Sequence, residues 1–164
     1  MSVFDQAAKS EIFGASPYIR AGKYQLTVLG SFLKHSAKPN GPDYLIVEIE
    51  VNKHVPAEGQ EAFEEGDKCT WRPKISTENG PSNLKQYGLA VGQEQYGDQF
   101  VEAAISGEFL KTIIADFGTD PSKAEAVGLK LEMEAFTVQT KAKTDFTKVV
   151  WYPVGGLLFD FASA

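Results

Sequence analysis

Residues 128–154 read GLKLEMEAFTVQTKAKTDFTKVVWYPV, and the alternation inside this stretch decides the fold. Leu129, Leu131, Met133 and Ala135 recur at every second position, which sets them on one face of an extended strand. A second alternating run follows, with Phe146, Lys148, Val150 and Tyr152 on one parity and Thr147, Val149 and Trp151 on the other. The connector KAKTD is too short for a crossover between parallel strands and joins antiparallel neighbours instead. The stretch therefore predicts a β-hairpin with Lys141 to Asp145 at its tip, bracketed by Phe136, Phe146, Trp151 and Tyr152.

Upstream, GKYQLTVLGSFL (residues 22–33) places Tyr24, Leu26, Val28 and Phe32 on one parity, a long strand bent at Gly30. KHSAKPNGPDY is a loop by its prolines, Asn40 and Gly41. In YLIVEIEVN (44–52), Leu45, Val47, Ile49 and Val51 are expected to face the core, with Tyr44, Ile46, Glu48 and Glu50 facing away. A polar connector leads to a third strand, KCTWRPKIS (68–76), where Cys69, Trp71, Pro73 and Ile75 oppose Lys68, Thr70, Arg72 and Lys74. Pro73 has no N–H for a ladder, so this strand belongs at an edge or a bulge.

The middle of the chain changes period. Leu84, Tyr87 and Val91 follow a cap region at Asn79–Ser82 with helical spacing, closed by Gly92. Phe109, Ile113 and Phe117 recur four apart in a second helical stretch that ends at Gly118, and Asp120 caps a short turn with Pro121 in its first position. Three strands, a helical insertion and two strands are the element order of the OB-fold, a five-stranded Greek-key barrel that binds oligonucleotides on strands two and three and on the loops 1–2 and 4–5. The fold expected is thus mainly β, an OB-fold-like barrel with helices between strands three and four. A helix packed on an open sheet is the alternative. One domain is expected over residues 1–164, with an N-terminal arm to about residue 20 and a C-terminal tail from about residue 155.

Composition narrows the function classes. The chain has 164 residues, of which 43% are hydrophobic and 12% aromatic, enough for one core. No window has the length of a membrane span and the start lacks a secretory pattern, so a cytoplasmic protein is expected. Cys69 has no cysteine to pair with, and with only His35 and His54 beside it no metal or other cofactor is expected. The Glu58–Asp67 run lacks the ligand spacing of a calcium loop. There is no phosphate-binding Gly-rich loop, no GxSxG elbow and no HExxH, so an enzyme is not expected. The formal net charge of -6 argues against a generally basic surface, yet charge is segregated. Ile12 to Pro42 holds Arg20, Lys23, Lys34 and Lys38 without an acidic residue, whereas residues 56–67 hold five carboxylates without a basic one.

FDQAAKSEIFGASPYIRAGKYQLTVLGSFLK (4–34), PDYLIVEIEV (42–51), SNLKQYGLAVG (82–92) and the closing hairpin together resemble the single-stranded-DNA-binding and recombination-associated OB-fold proteins of tailed bacteriophages. The shared outline is an N-terminal arm before an aGxYxvxi strand, a small helix ending in Gly, and a last hairpin pairing Gxxxxvev with (F/T)xxVxxxxP across a lysine-bearing tip. The resemblance implies non-catalytic, sequence-tolerant binding of single-stranded DNA in phage replication or recombination. Stacking on aromatic rings and neutralisation of phosphates by Lys and Arg supply the affinity. The candidates are Lys34 and Lys38 on the first loop, Tyr44 on strand two, Trp71, Arg72 and Lys74 on strand three, and Lys141, Lys143, Phe146 and Lys148 on the hairpin. Each also has a structural reading: tip lysines deter edge pairing, and Trp71, sharing parity with Cys69 and Ile75, suits the core. The tail GGLLFDFASA would recruit replication or recombination proteins, pack on the protein's own surface, or meet a second subunit in a homo-oligomer. The rival readings are a phage structural or assembly protein, and an adaptor or inhibitor that binds protein through its acidic surface.

Overall fold

The computed structural model describes residues 16–139 and 145–163, with the side chains of Gln139, Asp145 and Phe146 left out. Its elements are β1 (Gly22–His35), β2 (Asp43–Pro56), β3 (Lys68–Trp71), α1 (Gly80–Tyr96), α2 (Gly107–Ile113), β4 (Lys130–Gln139) and β5 (Asp145–Tyr152). The expected hairpin is present: β4 and β5 pair antiparallel from Glu132↔Tyr152 to Gln139↔Asp145, with the tip, residues 140–144, outside the described residues. Leu131, Met133, Ala135, Val149 and Trp151 from its inner face are buried. The fold is mainly β, an antiparallel five-stranded sheet of order β3-β2-β1-β4-β5, with two α-helices between β3 and β4.

β1 organises this sheet because it is long and bent. Its register on β2 shifts between Val28 and Gly30, at the expected bend, and again between Gln25 and Leu26. Only Gly22–Thr27 pair with β4. Beyond the bend the freed edge of β1 still needs partners. Ala115 supplies them, donating its N–H to the Ser31 carbonyl (2.8 Å) and accepting from the Leu33 N–H (2.9 Å). This explains why the second helix stops at Ile113 and does not reach Phe117 as its spacing suggested. The backbone of Ile114 and Ala115 is extended to meet β1, and Phe117 lies beyond, stacked on His35 with ring centroids 3.8 Å apart.

β3 is shorter than the nine residues its alternation suggested, and Pro73 is the reason. Past it, the strand keeps loose contact with β2 through the Tyr44↔Lys74 bridge and the Ile75 N–H to Asp43 carbonyl bond (2.9 Å). β3 does lie at a sheet edge. On β2, Leu45, Val47, Ile49 and Val51 are buried as expected, but Ile46 and Glu48 are buried as well. Ile46 packs in a second cluster with Phe32, Ala115 and Ala124, and the Glu48 carboxylate accepts from Thr70 Oγ1 (2.9 Å) and Ser16 Oγ. The outward face is covered there by segments distant in sequence, which strand periodicity does not register.

α1 runs through Gly92 to Tyr96 and ends at Gly97, whose φ of 89° suits glycine. Gly92 is a packing position: a Cβ there would lie 2.1 Å from Cε1 of Phe100. α1 contributes Tyr87 to a ring cluster with Trp71 of β3 and Trp151 of β5. The two tryptophans are 5.4 Å apart by centroid, although their strands are opposite edges of the sheet. The sheet is therefore strongly curled, yet open, since no ladder joins β3 to β5 among the described residues. The C-terminal tail folds back on the chain's own surface. Leu157 N–H donates to Glu132 Oε1 (3.2 Å), Lys23 Nζ lies 5.0 Å from the Phe159 ring, and Phe161 is buried. Among the described residues no helix is long and apolar enough to cross a membrane.

Candidate functional site

Where β3 and β5 fail to pair, an open groove of about 610 Å³ remains. Trp71 and Val149 form its floor; Tyr18, Pro73 and Lys74 border it on the β3 side, and Thr147 and Lys148 on the β5 side. The start of α1 closes one end with Thr77, Asn79, Ser82 and Asn83. The described lining residues include two lysines and no carboxylate, although Glu78 stands between Thr77 and Asn79 in the chain. For a chain of net charge -6, this is a locally basic and neutral-polar surface.

The groove's edges carry backbone groups as well as side chains. Gln86 of α1 holds both backbone polar groups of Trp151, accepting from its backbone N–H (2.8 Å) and donating to its backbone carbonyl (2.7 Å). Trp151 thus turns its hydrogen-bonding groups away from β4, and the two-residue alternation of an antiparallel ladder turns those of Val149 and Thr147 the same way, toward the groove. α1 begins without a side-chain hydrogen bond at its Asn79 cap and without an acidic residue in its first turn, so the positive end of its dipole lies beside Asn79 and Ser82. An extended, anionic, hydrogen-bonding ligand matches this combination of groups.

The sequence candidates distribute unevenly around this groove. Lys74 and Lys148 line it and are exposed. Trp71 also touches it but is only 3% exposed, with its ring packed against Tyr87 and Trp151, so it serves the core and the groove floor. Lys34 is opposite Tyr44 in the β1–β2 register and Tyr44 bridges to Lys74, so the three form a transverse row on one face, leading away from the groove. Tyr44 in that row is partly buried against the Phe32 and Ile46 cluster. Lys38 is exposed on the first loop. Arg72 donates to the Ser16 carbonyl (3.2 Å), with its guanidinium 5.4 Å from the Tyr18 ring centroid. Lys148 is opposite Phe136, which is 39% exposed. Lys141 and Lys143 lie outside the described residues, as does the side chain of Phe146.

Sequence reasoning missed Tyr18 and the polar start of α1. Residues 16–20 carry no alternation that would mark Tyr18; tertiary pairing holds them, through Thr70 N–H to the Pro17 carbonyl (2.9 Å) and Ile19 N–H to the Thr70 carbonyl (3.1 Å). Burial raises the Tyr18 hydroxyl above its ordinary pKa, against the opposing pull of Arg72. The Cys69 thiol is pushed up to about 12, first by burial and then by the Glu48 carboxylate, which makes it an unreactive core group. The sequence assigns no role to His54 either. It is buried, stacked on Tyr24 (4.1 Å between centroids), and its Nδ1 accepts from the Phe63 N–H (2.9 Å). No cluster of three metal-ligating side chains occurs among the described residues. The chain matches no protein-family model, and no curated protein matches it.

Proposed function

We propose that this protein binds single-stranded DNA without catalysing a reaction, through the groove between β3 and β5, in the replication or recombination of a phage genome. The observation that carries the reading is the lining that the described residues give the groove: two exposed lysines, neutral hydroxyls and amides, an aromatic border and no carboxylate, on an otherwise acidic chain. Such a channel neutralises phosphates without selecting sequence, while its aromatic border is open to unpaired bases. We read the sheet as an incompletely closed OB-like barrel. The order β3-β2-β1-β4-β5, the helix between the third and fourth strands and the contact of Trp71 with Trp151 across the two edges support that reading.

Fluorescence anisotropy with labelled single-stranded and duplex oligonucleotides, repeated over a salt series, tests the proposal. Salt-sensitive binding that favours the single strand is expected. Equal affinity for duplex and single strand, or no affinity for either at low salt, would refute it.

A further inference from the structure

Arg72 stands beside the groove, yet its guanidinium is engaged by the chain itself: it donates to the Ser16 carbonyl and lies over the Tyr18 ring. Tyr18 is held on the edge of β3 by two backbone hydrogen bonds that flank it, at Pro17 and Ile19. Its ring is half-buried and borders the groove beside Lys74. The other described aromatic of the groove, Trp71, has its ring closed off by Tyr87 and Trp151. From these positions, and resting on the single-strand reading above, we infer that Tyr18 is the platform on which an unpaired base stacks. Arg72 is a positioning residue that fixes this platform and is not a phosphate contact.

The assignment separates two chemistries along one groove. Lys74 and Lys148 act by charge, so they set the salt dependence; Tyr18 acts through a base face, so it sets a salt-independent share of the affinity. A guanidinium over one face of a phenol ring polarises and immobilises it, which lowers the ordering cost when a base arrives. Arg72 therefore influences binding through Tyr18.

Four measurements on the full chain test this. Tyr18→Leu is expected to weaken binding of oligothymidine by about 5- to 150-fold with the salt slope unchanged, while Tyr18→Phe stays within about 2-fold of the parent. On an oligonucleotide of the same length whose residues are abasic, the parent and Tyr18→Leu are expected to bind equally. Arg72→Gln is expected to weaken oligothymidine binding in the parent, to add little further loss in the Tyr18→Leu background, and to leave the salt slope near that of the parent. Because Tyr18→Leu also removes part of the β3 edge packing, photo-crosslinking of unmodified protein with 5-iododeoxyuridine oligonucleotides gives a readout free of substitution, with the adduct expected on Tyr18. An equal loss from Tyr18→Leu on the abasic strand, a drop in salt slope with Arg72→Gln, or adducts on other aromatics alone would overturn the inference. A parent protein with no affinity for any single strand would instead overturn the proposed function itself.

Discussion

His54 makes the stability of this protein depend on pH, in a direction the structure sets. Its imidazole is 6% exposed and lies parallel to the Tyr24 ring. Nδ1 accepts from Phe63 N–H, so the neutral ring carries its proton on Nε2, which faces the Ala21 carbonyl at 3.3 Å. A second proton would meet the Phe63 N–H head-on and place a charge in a buried site near Arg20. Burial accordingly lowers the His54 pKa below its ordinary value, and Arg20 lowers it further, against the hydrogen bond to Ala21. The folded state then binds fewer protons than the unfolded state just below the unfolded value of about 6.5. The stabilisation is complete above about pH 6.5 and is lost as pH falls from there through the lower folded value, by at most about 1.4 kcal/mol per pH unit. Urea denaturation from about pH 7.5 to about pH 5 measures this loss, and His54→Asn isolates it. The amide oxygen can still accept from Phe63, whereas the Tyr24 stack and the Ala21 bond are lost, at a cost of about 1–3 kcal/mol near neutral pH. The variant should show a flatter profile than the parent across the window, so that the two converge toward acid. Parallel profiles would refute the reasoning, because carboxylates elsewhere titrate equally in both proteins.

Other substitutions test the packing and the groove. Gly92→Ala should destabilise the protein by about 1–3 kcal/mol despite a helix-propensity gain of up to about 1, because the new Cβ meets the Phe100 ring at 2.1 Å; thermal melts check it, and a variant as stable as the parent refutes the close contact. Gly88→Ala, whose Cβ would crowd only the flexible end of Leu110 and otherwise sit at ordinary contact distance from Ile105 and Ile113, should cost less in the same assay. Cys69 should react with a thiol reagent only at the rate of unfolding, since its pKa near 12 and its burial both suppress the thiolate; rapid labelling in native buffer would contradict this. Lys74→Gln and Lys148→Gln should each lower the slope of log affinity against log salt by about 0.7 for a single strand. If both together leave the slope intact, phosphates do not run through the groove.

The strands, and the pairing of the last two, were written in the sequence wherever one face was buried and the other wet. The alternation of Leu131, Met133 and Ala135, the mirrored run ending at Trp151 and the bend at Gly30 all correspond to observed features, since period two follows directly from backbone geometry. Lys74 and Lys148 could be named as exposed cations on the same ground. Periodicity falls silent where distant segments meet. It placed Ile46 and Glu48 in solvent because nothing local announces that Ala115 and Ser16 will cover them, and it extended the second helix to Phe117 because it does not count the unpaired edge of β1 beyond Val28. Gly92 looked like a helix stop, and only the Phe100 ring pressed against it gives the position its actual role. Tyr18 and the groove itself belong to the same class: they exist because curling brings Trp71 and Trp151 together while the outward backbone groups of β3 at Thr70 are taken by Pro17 and Ile19 rather than by β5. Element type and burial parity are local properties of a chain in water. Which edge stays open, and which side chains border it, depends on how the whole sheet curls, and that is decided only when all five strands are packed.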